Sequence, residues 1–153
     1  MEKKNSFLSY KLLDWARDIT SLGNPFILLF VPFIFLGFGK PFWILLGALA
    51  INEIIGSLIK IVFPKTRPNG QKYTNIIEKI DAGSFPSLHS SRITVVYLTM
   101  FSNAEILVMQ ALFIFIILMV MLSRVALKKH FFTDIIGGFV IGLIIWWVSV
   151  NLY

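Results

Sequence analysis

Long apolar runs, broken only by short polar punctuation, constrain this chain more than any other feature. They occupy roughly 25–38, 42–63, 84–101, 104–122 and 135–150. The runs are continuous and lack the alternation of a barrel strand, which argues for helices. Backbone in hydrocarbon has to satisfy its own hydrogen bonds, and a helix does so within one segment. With 153 residues, 57% hydrophobic and 14% charged, and a mean hydropathy of +0.80, the chain is too apolar for a water-soluble domain of its size. The expected fold is all-α: an integral membrane helical bundle of about five transmembrane helices forming a single domain over 1–153. Its transmembrane core is expected over 24–151, preceded by an interfacial helix over 1–23.

The punctuation supports this division. Leu8, Leu12, Trp15, Ile19 and Leu22 recur at helical spacing, while Lys4, Lys11, Asp14, Arg17 and Asp18 fill the other faces. That pattern predicts an amphipathic helix, either lying in the membrane interface or docked on the protein's own surface. The N-terminal Met1–Ser6 shows no apolar core before a small-residue cleavage site, so no signal peptide is expected. Gly23-Asn24-Pro25 starts the first span, with a kink expected at Pro32. Gly39-Lys40-Pro41 and Ser102-Asn103 read as tight turns, and Pro64 ends the second span. The polar segment from Lys65 to Gly83 is long enough to be a binding loop. The third span opens at Ser84-Phe85-Pro86-Ser87, with proline in its first turn. Gly137, Gly138 and Gly142 predict close packing of the last helix.

Alternating directions put 1–23, 64–85 and 123–134 on one side. Thirteen of the fourteen Lys and Arg then belong to that side or to helix ends leading to it, with only Lys40 opposite. One face is therefore strongly basic, and special residues gather there. Lys60 and Arg67-Pro68 arrive from the second span, Pro86-Ser87-Leu88-His89 from the third, and Ser123-Arg124, His130 and Asp134 from the last connection. Ionisable residues are costly beside hydrocarbon and mark functional sites. His130 and Asp134 are four residues apart, within contact range on a helix, where a carboxylate fixes the tautomer of an imidazole. Guanidinium groups at Arg67 and Arg124 can grip phosphate oxygens in pairs, and Lys60 adds a point charge. Unpaired N–H groups at the start of the third helix also favour an anion.

In this order, Lys60-x6-Arg67-Pro68, Pro86-Ser87-x-His89 and Ser123-Arg124-x5-His130-x3-Asp134 resemble the signature of the type 2 phosphatidic acid phosphatases. These are membrane lipid phosphatases related to the soluble vanadium haloperoxidases. The resemblance covers about half the chain, from Lys60 to Asp134, and more loosely the Leu13-Asp14 to Leu22-Gly23 stretch. It implies hydrolysis of a lipid phosphate or diphosphate, polyprenyl (undecaprenyl) diphosphate foremost, with phosphatidic acid or phosphatidylglycerophosphate as alternatives. His130 would attack phosphorus and form a phosphohistidine, Asp134 would orient it, and His89 would serve as general acid and then base. Lys60, Arg67, Ser87, Leu88, Ser123 and Arg124 would form the phosphate-binding set. Leu88 departs from the pattern, which has glycine there; leucine is expected to reshape or narrow the pocket.

Three cations can neutralise a phosphoryl group without Mg²⁺, so neither metal nor cofactor is expected. With no cysteine and two histidines, thiol chemistry is excluded and a multi-histidine metal centre is disfavoured. The expected partners are the substrate and membrane lipids, with no nucleic acid. A noncatalytic lipid-phosphate binder or transporter is the competing class, although binding alone needs only the cations. Arg92 is expected to touch substrate or to pair with Glu53. Lys65, Lys72, Lys79, Lys128 and Lys129 read as solvated or headgroup-bound. In a cell membrane, the positive-inside rule turns the basic face to the cytoplasm, whereas many relatives of that family act on the outer face.

Overall fold

A computed structural model describes residues 2–152 except 71–73, 76, 77, 79, 81, 103 and 104, with the side chains of 2–9 and 35–38 also left aside. Lys72, Lys79, Asn103 and the side chains of Lys4 and Leu8 therefore lie outside the described residues. Helices account for the architecture: α1 (Glu2–Ser21), α2 (Pro25–Phe30), a 3₁₀ segment (Val31–Phe38), α3 (Lys40–Val62), α4 (Leu88–Ser102), α5 (Leu107–Ala126) and α6 (Phe132–Asn151). Among the described residues, α3, α5 and α6 are long and apolar enough to cross a membrane. They present Leu58, Val62, Leu118, Leu122, Ile136, Val140, Ile144 and Trp147 outward, the apolar surface expected of a bundle solvated by lipid.

The other two expected spans differ from a plain helix. Asn24 caps α2 by accepting from the Phe26 N–H at 2.9 Å, with Pro25 at the first helical position, as helix starts favour. The kink expected at Pro32 takes the form of a switch from α to 3₁₀ geometry at Val31. Proline lacks the N–H that the α ladder would use next. Gly39, at φ 63°, then turns the chain into α3.

α4 is short, 15 residues, and forms the centre of the bundle. Val95 and Val96 belong to a core with Leu28, Leu45, Leu49 and Ile145. Ile93 belongs to a second core with Ile117, Val120, Met121 and Ile135, against which Ile19 of α1 also packs. Hydroxyl residues survive in this interior because they donate to their own helix: Thr94 to the Ser90 carbonyl at 2.7 Å and Thr99 to that of Val95 at 2.8 Å. The glycine expectation holds. A Cβ at Gly138 would collide with the Ser87 carbonyl, and one at Gly142 would lie 2.7 Å from that of Ser91. α6 therefore packs backbone to backbone on α4. α1 lies along α5, with Ala16 buried but Leu12 and Trp15 exposed.

Candidate active site

The C-terminal ends of α3 and α5 and the N-terminal ends of α4 and α6 meet at one end of the bundle, which is the alternation read from the sequence. They enclose a cavity of about 340 Å³ lined by Lys60, Arg67, Leu88, His89, Arg92, Arg124, Lys129, His130 and Pro25. Lys60, Arg67 and Arg124 are all buried. Lys60 is steadied by its bond to the Ile80 carbonyl at 3.1 Å, and Arg124 by a bond to the Thr20 hydroxyl at 3.1 Å. The second contact ties α1 to the site. It gives the loose match over 13–23 a structural role.

His130 reaches the cavity through a helix-ending turn. Lys129 N–H bonds to the Arg124 carbonyl at 3.1 Å and Lys128 N–H to that of Val125 at 2.9 Å, while Lys128 takes φ 52°. This is the Schellman pattern, with lysine where glycine is usual. His130 is therefore outside any helix, and the helical His130–Asp134 face expected from spacing does not form. The two side chains stand 4.0 Å apart, beyond hydrogen bonding. The imidazole Nδ1 instead lies 2.8 Å from the Ser84 carbonyl. A carbonyl only accepts, so Nδ1 carries the proton and Nε2 keeps the lone pair. Burial, reinforced by the Arg124 guanidinium, pushes the His130 imidazole down to about 3, against a lift from the Ser84 bond. The ring is thus neutral at ordinary pH, in the tautomer a nitrogen nucleophile requires.

Asp134 is fully buried and its oxygens are committed elsewhere. Oδ1 receives Lys65 Nζ at 2.6 Å; Oδ2 receives the Ser84 hydroxyl and the Phe131 N–H, the latter at 2.8 Å. The carboxylate caps the start of α6 and holds Ser84, the residue whose carbonyl holds His130. Lys65, read from sequence as solvated, also donates to Thr133 Oγ1 at 2.9 Å and lies 4.8 Å from the centre of the Phe131 ring. No local pattern reveals this, because its partner is 69 residues away. Ser84 had a weak signal in its place just before Phe85-Pro86.

Several expected ligands have other employment. α4 begins at Leu88, so Pro86 precedes the helix. The Ser87 hydroxyl accepts from Ser90, its N–H at 3.4 Å and its hydroxyl at 2.9 Å, the position of an N-cap. Ser87 N–H bonds to the Asp134 carbonyl at 3.0 Å, so two N–H groups counted for an anion are engaged within the protein. Ser123 is buried and donates to the Val120 carbonyl at 2.6 Å; neither Ser87 nor Ser123 lines the cavity. Leu88 does line it, and packs into a notch on α3 where Gly56 has no side chain. Arg92 lines the cavity and pairs with Glu53 through two contacts, Nη2 to Oε2 at 2.7 Å and Nε to Oε1. Lys129 also lines it, whereas Lys128 points to solvent.

A cationic cavity holding two imidazoles, set at one end of a helical membrane bundle, defines a phosphate-handling membrane protein. A sequence model of the PAP2 superfamily matches residues 41–153, and the chain belongs to that family. Two solved structures share its fold. The transmembrane PAP2-type phosphatidylglycerolphosphate phosphatase of Bacillus subtilis superposes with a TM-score of 0.76 at 24% identity, covering 92% of this chain and 76% of the other. LpxE of Aquifex aeolicus gives a TM-score of 0.76 at 20% identity, covering 92% and 86%. No curated protein matches by sequence search.

Proposed function

We propose that this chain is a metal-independent membrane lipid phosphatase working through a phosphohistidine at His130. The observation that carries the reading is the Ser84 clamp, which leaves the Nε2 lone pair of His130 available beside Lys60, Arg67 and Arg124. Nε2 attacks phosphorus as the bond to the leaving oxygen breaks, and His89, entering the step as the imidazolium that the bound phosphate anion stabilises, donates the proton that oxygen takes up. Water then attacks phosphorus and gives its proton to His89. The P–N bond breaks, phosphate departs, and both imidazoles return to their starting states. Positive charge develops on the phosphorylated ring, and Asp134 at 4.0 Å stabilises it without accepting its proton. The three cations hold the phosphoryl oxygens where charge accumulates.

An apolar cleft of about 280 Å³ between α2 and α3 shares Pro25 and Arg92 with the cationic cavity. It is a suitable seat for the first carbons of a lipid tail entering from the bilayer. Lys129 and the Glu53-paired Arg92 line the cavity beside the three cations of the motifs, and this surplus of positive charge favours a diphosphate such as a polyprenyl diphosphate over a monophosphate. One of the two fold neighbours is named for phosphatidylglycerolphosphate, which makes that lipid the substrate to compare.

The decisive test is phosphate release from a panel of polyprenyl diphosphate, phosphatidate and phosphatidylglycerophosphate by purified protein in EDTA. His130→Ala is expected to abolish it. EDTA-sensitive turnover, or turnover surviving in that variant, overturns the mechanism. A binder or transporter would show no trapped phosphohistidine and no loss of lipid affinity in His130→Ala. We place the protein in the cell membrane, α1 at the interface and the basic face toward the cytoplasm. Single cysteines at positions 72 and 103 of this cysteine-free chain would label from opposite sides, 72 from the cytoplasm.

A further inference from the structure

Lys65 grips the nucleophile's support at two points. Its ammonium pairs with Asp134 Oδ1 at 2.6 Å, and its carbonyl receives the Ser84 N–H at 2.7 Å. Ser84 in turn joins Asp134 through its hydroxyl and His130 through its carbonyl, the latter at 2.8 Å. The circuit closes: Lys65 to Asp134, Asp134 to Ser84, Ser84 back to Lys65. The His130 ring hangs from its Ser84 corner. Asp134 is fully buried and Lys65 partly so, and a buried carboxylate without its cation is costly. Removing the ammonium therefore favours a relaxed or protonated Asp134 that no longer holds the Ser84 hydroxyl.

We infer that Lys65 is a positioning residue, which sets the tautomer and orientation of His130 through Asp134 and Ser84 without touching substrate. Lys65 does not line the cationic cavity, so a role as a phosphate ligand is a different hypothesis with a different signature. Loss of a ligand raises KM. Loss of a positioning residue lowers kcat while KM holds, because the cations still bind phosphate. Wrong-tautomer variants of imidazole catalysts lose rate steeply with the geometry otherwise intact.

The inference rests on the phosphohistidine reading for its kinetic consequence but not for its structural one, and the experiment separates them. In protein labelled with ¹⁵N-histidine, only two imidazoles report, and His89→Gln assigns them. The wild type should show His130 as the Nδ1–H tautomer, and Lys65→Met should convert it to a mixture rich in Nε2–H. With the preferred lipid phosphate, Lys65→Met should lower kcat about tenfold or more and change KM less than about threefold. Lys65→Arg should recover most of both. Where melting in detergent shows that Lys65→Met fails to fold, Ser84→Ala is read in the same way, since it removes the hydroxyl but keeps the carbonyl. A persistent Nδ1–H tautomer in the folded variant overturns the inference whatever its rate. So does an unchanged kcat, or a rise in KM alone. Activity surviving in His130→Ala overturns the phosphohistidine reading instead, and the tautomer result still decides the role of Lys65.

Discussion

α4 and α5 are neighbours built on opposite principles. α4 carries Ser90, Ser91, Arg92, Thr94 and Thr99, and all five are buried. α5 is almost wholly apolar until Ser123, yet Leu112, Ile114, Phe115, Leu118 and Leu122 are exposed. In water the more polar helix would be the outer one. Lipid inverts the rule: apolar side chains lose nothing by facing out, and small hydroxyl residues permit close helix contact inside. Exposure in this protein is thus no mark of polarity, and small hydroxyl residues share the interior with the apolar cores.

The comparison breaks most readily at Arg124 and Leu122, two residues apart on α5. Arg124→Ala should lower kcat/KM by about 10²–10³-fold, the range for losing a charge-stabilising group, whereas Leu122→Ala should stay within about twofold. Steady-state kinetics on the two variants suffice; similar losses would mean that the outer face matters as much as the inner. Packing provides the next contrast. Gly138→Leu forces a side chain into the Ser87 carbonyl and should cost about 3 kcal/mol or more, while Gly47→Ala meets nothing within 4 Å and should gain up to about 1 kcal/mol of helix propensity. Melting in a fixed detergent measures both.

A smaller effect concerns charge. His130 is depressed to about 3 by burial and then by Arg124, so the wild-type ring should stay neutral, and kcat/KM should show no acid limb from it, above about pH 5. Taking away the neighbouring positive charge makes protonation easier. In Arg124→Gln the ring should therefore begin to titrate at higher pH, toward its ordinary value of about 6.5, as read from its ¹⁵N shifts. The smallest effect is expected at Glu53, whose carboxylate is 40% exposed against an 8% exposed Arg92. Glu53→Gln should free Arg92 for anions and lower KM for a diphosphate about two- to threefold, since partly exposed pairs are worth little.

Much of this was legible in the amino-acid order. Pro25, Gly39-Lys40-Pro41 and Pro64 punctuate the chain where helices begin and end, and Lys60, Arg67, His89, Arg124 and His130 do meet in one cavity. The central place of α4 was not legible, because apolarity reports membrane depth and not which neighbour a helix touches. Motif position groups Ser87 and Ser123 with the phosphate ligands, but it does not say whether a hydroxyl already caps a helix, as that of Ser87 does, or is bonded to its own helix, as that of Ser123 is. The His130–Asp134 spacing identified a true pair of neighbours but the wrong bond between them. The bonds that do form run through Lys65 and Ser84, whose contacts span 69 and 46 residues and leave no periodic trace.

The turn after α5 has one more consequence. The Arg124 carbonyl receives the N–H of Lys129 at 3.1 Å and lies 3.4 Å from that of His130, while the same residue's guanidinium lines the cavity. Phosphate clamp and proposed nucleophile are thus mounted on one rigid bracket, and the five residues between them work as a ruler. Lengthening that ruler by a single residue would leave every helix intact and every side chain present, yet carry the attacking nitrogen out of line with the phosphorus it is meant to reach.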